Sequence, residues 1–304
     1  MAVLTLTATP TRFIKDATTT LTASAYSDNV LTDIGTLTIG IVDIAGNTVV
    51  AAGSAVTSDG GDGTYTYDLA AQTTVNQLVV TWTEDGGDVF TTRHEVVGGD
   101  LFTVGAARLF DNAALTNSTT YPDLAIATAR GRITDKLEQW TGRSWIPRYR
   151  YGLFAGSGDR WLPLRDAGTS RGGSGGEGAG FDPLTVISGT VNGTSITTGN
   201  VAVFDNGYLY RKDGLWNYPP PTNPLNVAVG YEYGQISLVD GVDRIALLLL
   251  RDEIVSSNIS DRTSRFSDEL GTYTFVTPGV GRAVSNVPEV NEWVSAHDVR
   301  LRIG

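Results

Sequence analysis

The sequence predicts an α+β, multidomain protein: an all-β sandwich at the N-terminus, then a helical domain that carries a β-rich insertion and ends in an extended arm. Three observations carry this expectation. Apolar and Thr/Ser residues alternate with period two as far as residue 97, helical spacing takes over after the Gly98-Gly99 pair, and beyond the last apolar helix the chain turns polar and Gly-punctuated. At 304 residues the chain exceeds one ordinary domain, so two are expected, 1–97 and 100–304, each long enough for its own core. Apolar residues make up 41% and charged residues 18%, a balance that favours a folded, strand-rich protein over a disordered one.

The first domain is justified strand by strand. Leu4-Thr-Leu-Thr-Ala, Thr18-Thr-Thr-Leu-Thr-Ala-Ser-Ala, Thr36-Leu-Thr-Ile-Gly-Ile-Val, Tyr65-Thr-Tyr and Leu78-Val-Val-Thr-Trp-Thr read as short strands. The breaks fall at Ala45-Gly-Asn, Asp59-Gly-Gly-Asp-Gly63 and Glu84-Asp-Gly-Gly87. Six or seven strands in under a hundred residues suggest an Ig-like β-sandwich. Without any cysteine no disulfide can brace it, so packing alone must hold it.

Helices are expected at about 102–115, 122–141 and 243–257. In the second of these, Pro122 suits a first helical position and Gly142 a C-terminal stop. Ile126, Ala129, Ile133, Leu137 and Trp140 recur at three-to-four spacing along one face. Strand signals then return from about 148 to 235, interrupted by the low-complexity run Gly168 to Gly180, which reads as a flexible loop. Tyr218-Pro-Pro-Pro221 reads as an extended turn. In the third helix Ile245, Leu247 to Leu250, Ile254 and Val255 spread round most of the circumference, which implies burial between elements. The arm, 259–304, contains Arg262-Thr-Ser-Arg-Phe-Ser-Asp-Glu-Leu-Gly271 and closes on Val287-Pro-Glu-Val-Asn-Glu-Trp293; such a segment cannot bury itself and is expected to lie on another subunit.

Charge and residue inventory exclude several functions. Net charge is −11, and residues 1–97 hold 3 Lys/Arg against 11 Asp/Glu, so the front domain repels nucleic acid and acidic membranes. The N-terminus lacks a basic region followed by a long apolar run, and the most hydrophobic stretch, Ile245 to Leu250, falls far short of the ~20 residues that span a bilayer, so neither signal peptide nor membrane span is expected. His94 and His297 are far apart and expected on the surface, which leaves no zinc set. Asp59-Gly-Gly-Asp-Gly63 reads as a turn rather than a calcium loop, and the Gly-rich run lacks the Gly-Lys-Ser/Thr ending of a phosphate-binding loop. No nucleophile, base and orienting group assemble, so no enzyme, cofactor or metal is expected.

Gly63-Thr-Tyr-Thr-Tyr67 followed by Val79-Val-Thr-Trp82 resembles bacterial and phage Ig-like modules. Residues 100–304 carry a more specific likeness in their order: a helix ending in Trp140-Thr-Gly-Arg-Ser-Trp-Ile-Pro147, then Trp161-Leu-Pro-Leu164, Asp182-Pro-Leu-Thr-Val-Ile187, Leu209-Tyr-Arg, Val227-Ala-Val-Gly-Tyr-Glu-Tyr-Gly234, the Leu-rich helix and the arm. This two-thirds of the chain resembles the head-to-tail connector, or adaptor, proteins of long-tailed double-stranded DNA phages of actinobacteria. The resemblance implies a homo-oligomeric ring of twelve copies beneath the portal protein in the virion neck. It would contact the next neck or tail-completion protein, and double-stranded DNA would pass through it without sequence reading; the protein would be made in the host cytoplasm.

Under that reading the expected interface comprises Arg130, Arg132, Lys136, Arg143 and Trp145 at the second helix, and Arg262, Arg265, Phe266 and Trp293 in the arm. The basic cluster, extended by Arg148 and Arg150, suits an acidic portal surface or a neighbouring subunit, while a solvated face with local ion pairs explains it equally well. Trp140 and Trp145 fit a core as well as an anchor. The alternative function is a carbohydrate-binding or adhesion protein using Tyr208, Tyr210 and Trp216.

Overall fold

Alternation places the N-terminal core before any long-range contact is considered. A computed structural model describes residues 4–58, 61–85, 87–164, 183–204, 207–238, 241–255, 265–268, 271–274 and 284–298. The first ten strands are β1 (Leu4–Thr9), β2 (Arg12–Ile14), β3 (Thr19–Ser27), β4 (Val30–Leu31), β5 (Leu37–Asp43), β6 (Thr48–Ala55), β7 (Thr57–Ser58), β8 (Thr64–Leu69), β9 (Asn76–Glu84) and β10 (Val89–Val97). They form two sheets, β1-β3-β8-β7 with β4 on β3, and β2-β10-β9-β5-β6. Leu21, Ala23, Ala25, Tyr65 and Leu69 of the first sheet pack with Leu37, Ile39, Ile41, Leu78, Val80 and Trp82 of the second. The register Ile39↔Trp82 and Ile41↔Val80 keeps every large side chain on the inner face, and a slip of one residue would expose the set.

Two polar devices brace this sandwich in place of a disulfide. The buried Tyr65 hydroxyl accepts from the Ile34 N–H at 2.9 Å and donates to Asp33 Oδ1 at 2.8 Å, which ties β8 to the turn before β5. Gly63 sits beneath that turn at φ +82°, and a Cβ there would lie 2.5 Å from the Thr32 carbonyl oxygen, so only glycine fits. The second device is His94, which the sequence placed on the surface. It is 2% exposed, because it occupies the inward register position opposite Leu78.

The helices are α1 (Val104–Ala113) and α2 (Asp123–Thr141), followed by strands β11 (Arg148–Phe154), β12 (Trp161–Pro163), β13 (Pro183–Val191), β14 (Thr194–Ser195), β15 (Val201–Phe204), β16 (Tyr208–Arg211) and β17 (Val227–Tyr233). Then come α3 (Val242–Ile254), the strand pair β18 (Arg265–Asp268) and β19 (Gly271–Thr274), and α4 (Pro288–His297). The protein is thus α+β and multidomain, with strands predominating and four α-helices among the described residues.

Of the described residues, those up to Gly99 and those from Pro147 to Tyr233 form one compact unit, and those of Asp100–Ile146 and from Gly234 onward form the other. The sequence boundary at Gly98-Gly99 coincides with the first division. The β-rich insertion, however, groups with the N-terminal sandwich rather than with the helices. Within that unit Gly98 N–H donates to the Pro147 carbonyl at 2.8 Å, and Glu95 meets Arg12 at 2.9 Å and Arg148 at 3.6 Å. The insertion has a core of its own, between the sheet β11-β17-β13-β14 and the sheet β12-β16-β15, filled by Phe154, Leu162, Val186, Leu209, Trp216, Val227, Val229 and Tyr231. Buried Asn226 cross-links its loops, donating to Asn192 Oδ1 and to the Asn217 carbonyl and accepting from Gly156 N–H, all at 3.0 Å.

In the helical unit α2 buries Ile126, Ala129, Ile133, Leu137 and, beside them, Thr134 and Thr141. Pro122 stands one position outside the first helical residue, with ψ 149°, and Gly142 stops the helix in the left-handed region at φ 73°. Helix α1 departs from expectation: Phe110 turns extended, and Asp111, Asn112 and Ala113 carry positive φ, so regular helix ends at Leu109. Asp111 bonds Arg251 at 2.7 Å. Arg108 donates to the Leu115 carbonyl at 2.7 Å and the Tyr121 carbonyl at 3.0 Å, and pairs with Asp123, which fixes the chain that follows the break. Helix α3 ends at Ile254, three residues before its expected end, where Val255 turns extended. Its Ile245, Ala246, Leu247, Leu249 and Leu250 are buried, as the broad apolar surface required.

Candidate functional site

The residues that close the chain form the first candidate surface, at the ends of α2, α3 and α4. Trp145 is fully buried just after the Gly142 stop, its indole N–H donating to Thr141 Oγ1 at 2.9 Å while that hydroxyl donates to the Leu137 carbonyl at 2.7 Å. Trp293 lies 4.9 Å from the Trp145 ring, and His297 stacks on Trp293 at 4.3 Å with 22° between planes. Arg143 covers the Trp145 ring at 4.9 Å. Val290 and Val294 complete the buried face of α4. Its entry is organised by Asn291, whose side-chain oxygen accepts from the N–H groups of Val284 and Ser285 at 2.8 and 2.9 Å and whose amide donates to the Ser285 carbonyl at 2.8 Å. Arg244 of α3 clamps Glu289 at 2.8 Å, and this holds the Glu289 carboxyl below its ordinary range.

The expected interface residues therefore divide. Arg130 is committed inside its own unit, donating to the Phe102 carbonyl at 3.0 Å and pairing with Asp100 at 2.6 Å. Trp145 has no surface to offer, and Trp293 is engaged with it. Arg132 and Lys136 remain about half exposed, joined through Glu253 of α3 at 2.6 and 2.8 Å. Burial pushes the Glu253 carboxyl up, but the hydrogen bonds and charges of Lys136 and Arg132 outweigh it and leave the group below its ordinary range. Arg262 lies outside the described residues, as do the side chains of Arg265 and Phe266 in β18. The Gly168 to Gly180 run and part of the Asp59 to Gly63 turn also lie outside them; within that turn Asp62 accepts from the Thr64 N–H at 2.8 Å, the role of a turn residue.

The second candidate surface is the outer face of β12-β16-β15. Leu162 and Leu209 point into the core, so alternation turns Trp161, Tyr208 and Tyr210 outward, and Phe204 faces out at the end of β15. Trp161 stands 4.8 Å from Tyr210, 5.0 Å from Phe204 and 6.4 Å from Tyr208. Arg160 donates to the Tyr210 hydroxyl at 3.2 Å. Trp216, expected beside Tyr208 and Tyr210, is instead fully buried, its indole N–H donating to the Arg160 carbonyl at 3.0 Å. Sequence reasoning missed Trp161 and Phe204, although the alternation in Trp161-Leu-Pro-Leu and Tyr208-Leu-Tyr carried the signal.

Among the described residues no group of three or more His, Cys, Asp or Glu could hold a metal ion, and no helix is long and apolar enough to cross a membrane. No protein-family model matches the chain. No curated protein matches it either. Among solved structures a conjugative transposon lipoprotein from Bacteroides eggerthii is similar at 11% identity, covering 31% of this chain and 95% of its own, with a TM-score of 0.21. A likeness that slight carries no argument about fold or function.

Proposed function

We propose that the chain is a structural virion protein, a head-to-tail adaptor that forms a ring in a phage neck, joins the portal of the DNA-filled head to the tail and lets the genome pass. Its N-terminal sandwich is an Ig-like domain carried on that ring. The mechanism is assembly, with no bond made or broken. The resemblance to adaptor proteins rests on the sequence order of the helix ending at Trp140, the strand segments of the insertion, the Leu-rich helix and the arm.

The observation that carries the reading is the closure of the arm. Beyond the strand pair β18-β19, α4 is seated on its own helical unit through Trp293, Val290 and Val294. A C-terminal helix seated on its own helical unit offers a fixed docking element to a neighbouring subunit, which suits stepwise assembly. The half-exposed Arg132 and Lys136 supply a cationic strip on an otherwise acidic protein, suited to an acidic partner surface.

Electron microscopy of purified full-length protein and of virions labelled with an antibody against residues 1–97 tests the proposal. Rings in the purified sample and label at the neck are expected. Monomers at all concentrations, or label on the tail tip or capsid faces, would refute it.

A further inference from the structure

The aromatic face of β12-β16-β15 is not used by the adaptor reading. We infer that Trp161, with Phe204, Tyr208 and Tyr210 around it, is a stacking platform for a pyranose saccharide. The inference stands independently of whether the chain forms a ring.

Exposure is the first argument. Trp161 is 41% exposed and Phe204 40%, while Leu162 and Leu209 beside them are wholly buried, so the strands hold these rings outward rather than failing to bury them. The three short strands fix them by register: Trp161 is opposite Tyr210, and Tyr208 is opposite both Pro163 and Phe204. Mutual ring contacts immobilise each side chain before a ligand arrives, which lowers the ordering cost of binding.

Size decides between occupants. Four aromatic side chains of roughly 150–250 Å² each, none showing much more than two-fifths of itself, present on the order of 300 Å². That is well below the ~800 Å² per partner of a stable protein–protein interface. It matches a ligand of one to three sugar rings. A pyranose presents a patch of C–H bonds, weakly positive, to the negative face of an indole, and ringed hydroxyls that need partners at the rim. The rim supplies them. The Arg160 guanidinium, already held by the Tyr210 oxygen, has further N–H groups, and the two tyrosine hydroxyls can donate and accept. Asp159 is engaged within the turn, accepting from the Ser157 hydroxyl at 2.9 Å and the Trp161 N–H at 2.6 Å, so it shapes the edge of the platform rather than the ligand's contacts.

The test is saturation-transfer NMR on the full-length protein with cellotetraose, chitotetraose and mannotetraose as separate probes, alongside light scattering. Transfer to ring C–H protons of at least one probe is expected, and Trp161→Ala should weaken it about tenfold, Trp161→Tyr far less. The melting temperature and molecular mass should not change. If Trp161→Ala lowers the melting temperature, Phe204→Ser at the other edge of the platform is read instead. Absence of transfer from all three probes, undiminished transfer in both variants, or a change of oligomeric state in Trp161→Ala without a saccharide effect would overturn the inference; the last would make the face a contact between copies.

Discussion

Replacing Thr92 by valine should unfasten the polar seam of the N-terminal sandwich. The Pro10 carbonyl can only accept, so the His94 Nδ1 at 2.7 Å carries the ring proton and Nε2 is an acceptor. The Thr92 hydroxyl must then donate to Nε2 at 2.9 Å, and its oxygen accepts the Trp82 indole N–H at 3.2 Å. Valine keeps the volume and removes both functions of the hydroxyl, orphaning two buried groups at ~1–3 kcal/mol each, or about 2–6 kcal/mol together. Burial holds the His94 pKa below its ordinary 6.5, against the opposing pull of the Pro10 hydrogen bond. The unfolded chain therefore binds more protons than the folded one in the window below 6.5. Stability contributed by neutral His94 is complete above that value and is lost as pH falls through the window. Urea unfolding followed by tryptophan emission between pH 7.5 and 5 measures both effects. A Thr92→Val loss under about 0.5 kcal/mol, the range of an ordinary surface change, or a wild-type midpoint that stays flat across the window, would refute the reasoning.

Trp293→Ala should loosen α4 against the Trp145 ring, leaving the His297 edge contact at 5.7 Å. Two ring contacts at ~0.5–1.5 kcal/mol each contribute about 1–3 kcal/mol beyond the apolar area lost, read as faster amide exchange confined to residues 288–297 while the amides of α2 remain protected. Gly63→Ala must move the backbone of Thr32 as well as occupy a left-handed conformation that costs ~1–2 kcal/mol, so a fall in melting temperature of several degrees is expected by calorimetry. Glu253→Gln breaks two pairs whose cations are about half exposed, and solvent screening limits the loss to ~1 kcal/mol or less in chemical denaturation. The same lowered carboxyl makes its share of stability complete above its ordinary 4.5 and lost as pH falls further. On the adaptor reading, the double change Arg132→Gln with Lys136→Gln leaves the monomer folded and reduces ring formation, measured by sedimentation velocity.

Much of the fold was legible because alternation and helix punctuation act locally. The inward set Leu37, Ile39 and Ile41 follows from spacing alone, and Gly142 announced the end of α2. The break in α1 was less visible, since Phe102 to Leu109 and Leu115 keep an apolar helical pattern across it; the adjacent Asp111 and Asn112, residue types that tolerate the left-handed region, were the available sign. For His94, position outweighs polarity: it stands two residues before Val96 on an inward-facing row and is buried. Two of the expected interface residues, Arg130 and Trp145, are engaged within their own unit for a reason no local pattern contains: their partners Asp100 and Trp293 lie 30 and 148 residues away. The joining of the β-rich insertion to the N-terminal sandwich was equally hidden, because it rests on pairings such as Glu95 with Arg148.

The two compact units share one polypeptide that passes from the first to the second at Gly99, back at Ile146 and out again at Tyr233. Neither unit is therefore a contiguous gene segment, and the ribosome delivers them interleaved. Helix α2, with Ile126, Ile133 and Leu137 on its apolar side, is synthesised about a hundred residues before α3 and about 150 before α4, the helices that cover it. For that interval a nascent chain carries an uncovered greasy stripe while β11 to β17 are still completing the first unit. Growth of the chain in this order makes the helical unit the last to close, and makes any truncation before Pro288 a product in which its core has never been sealed.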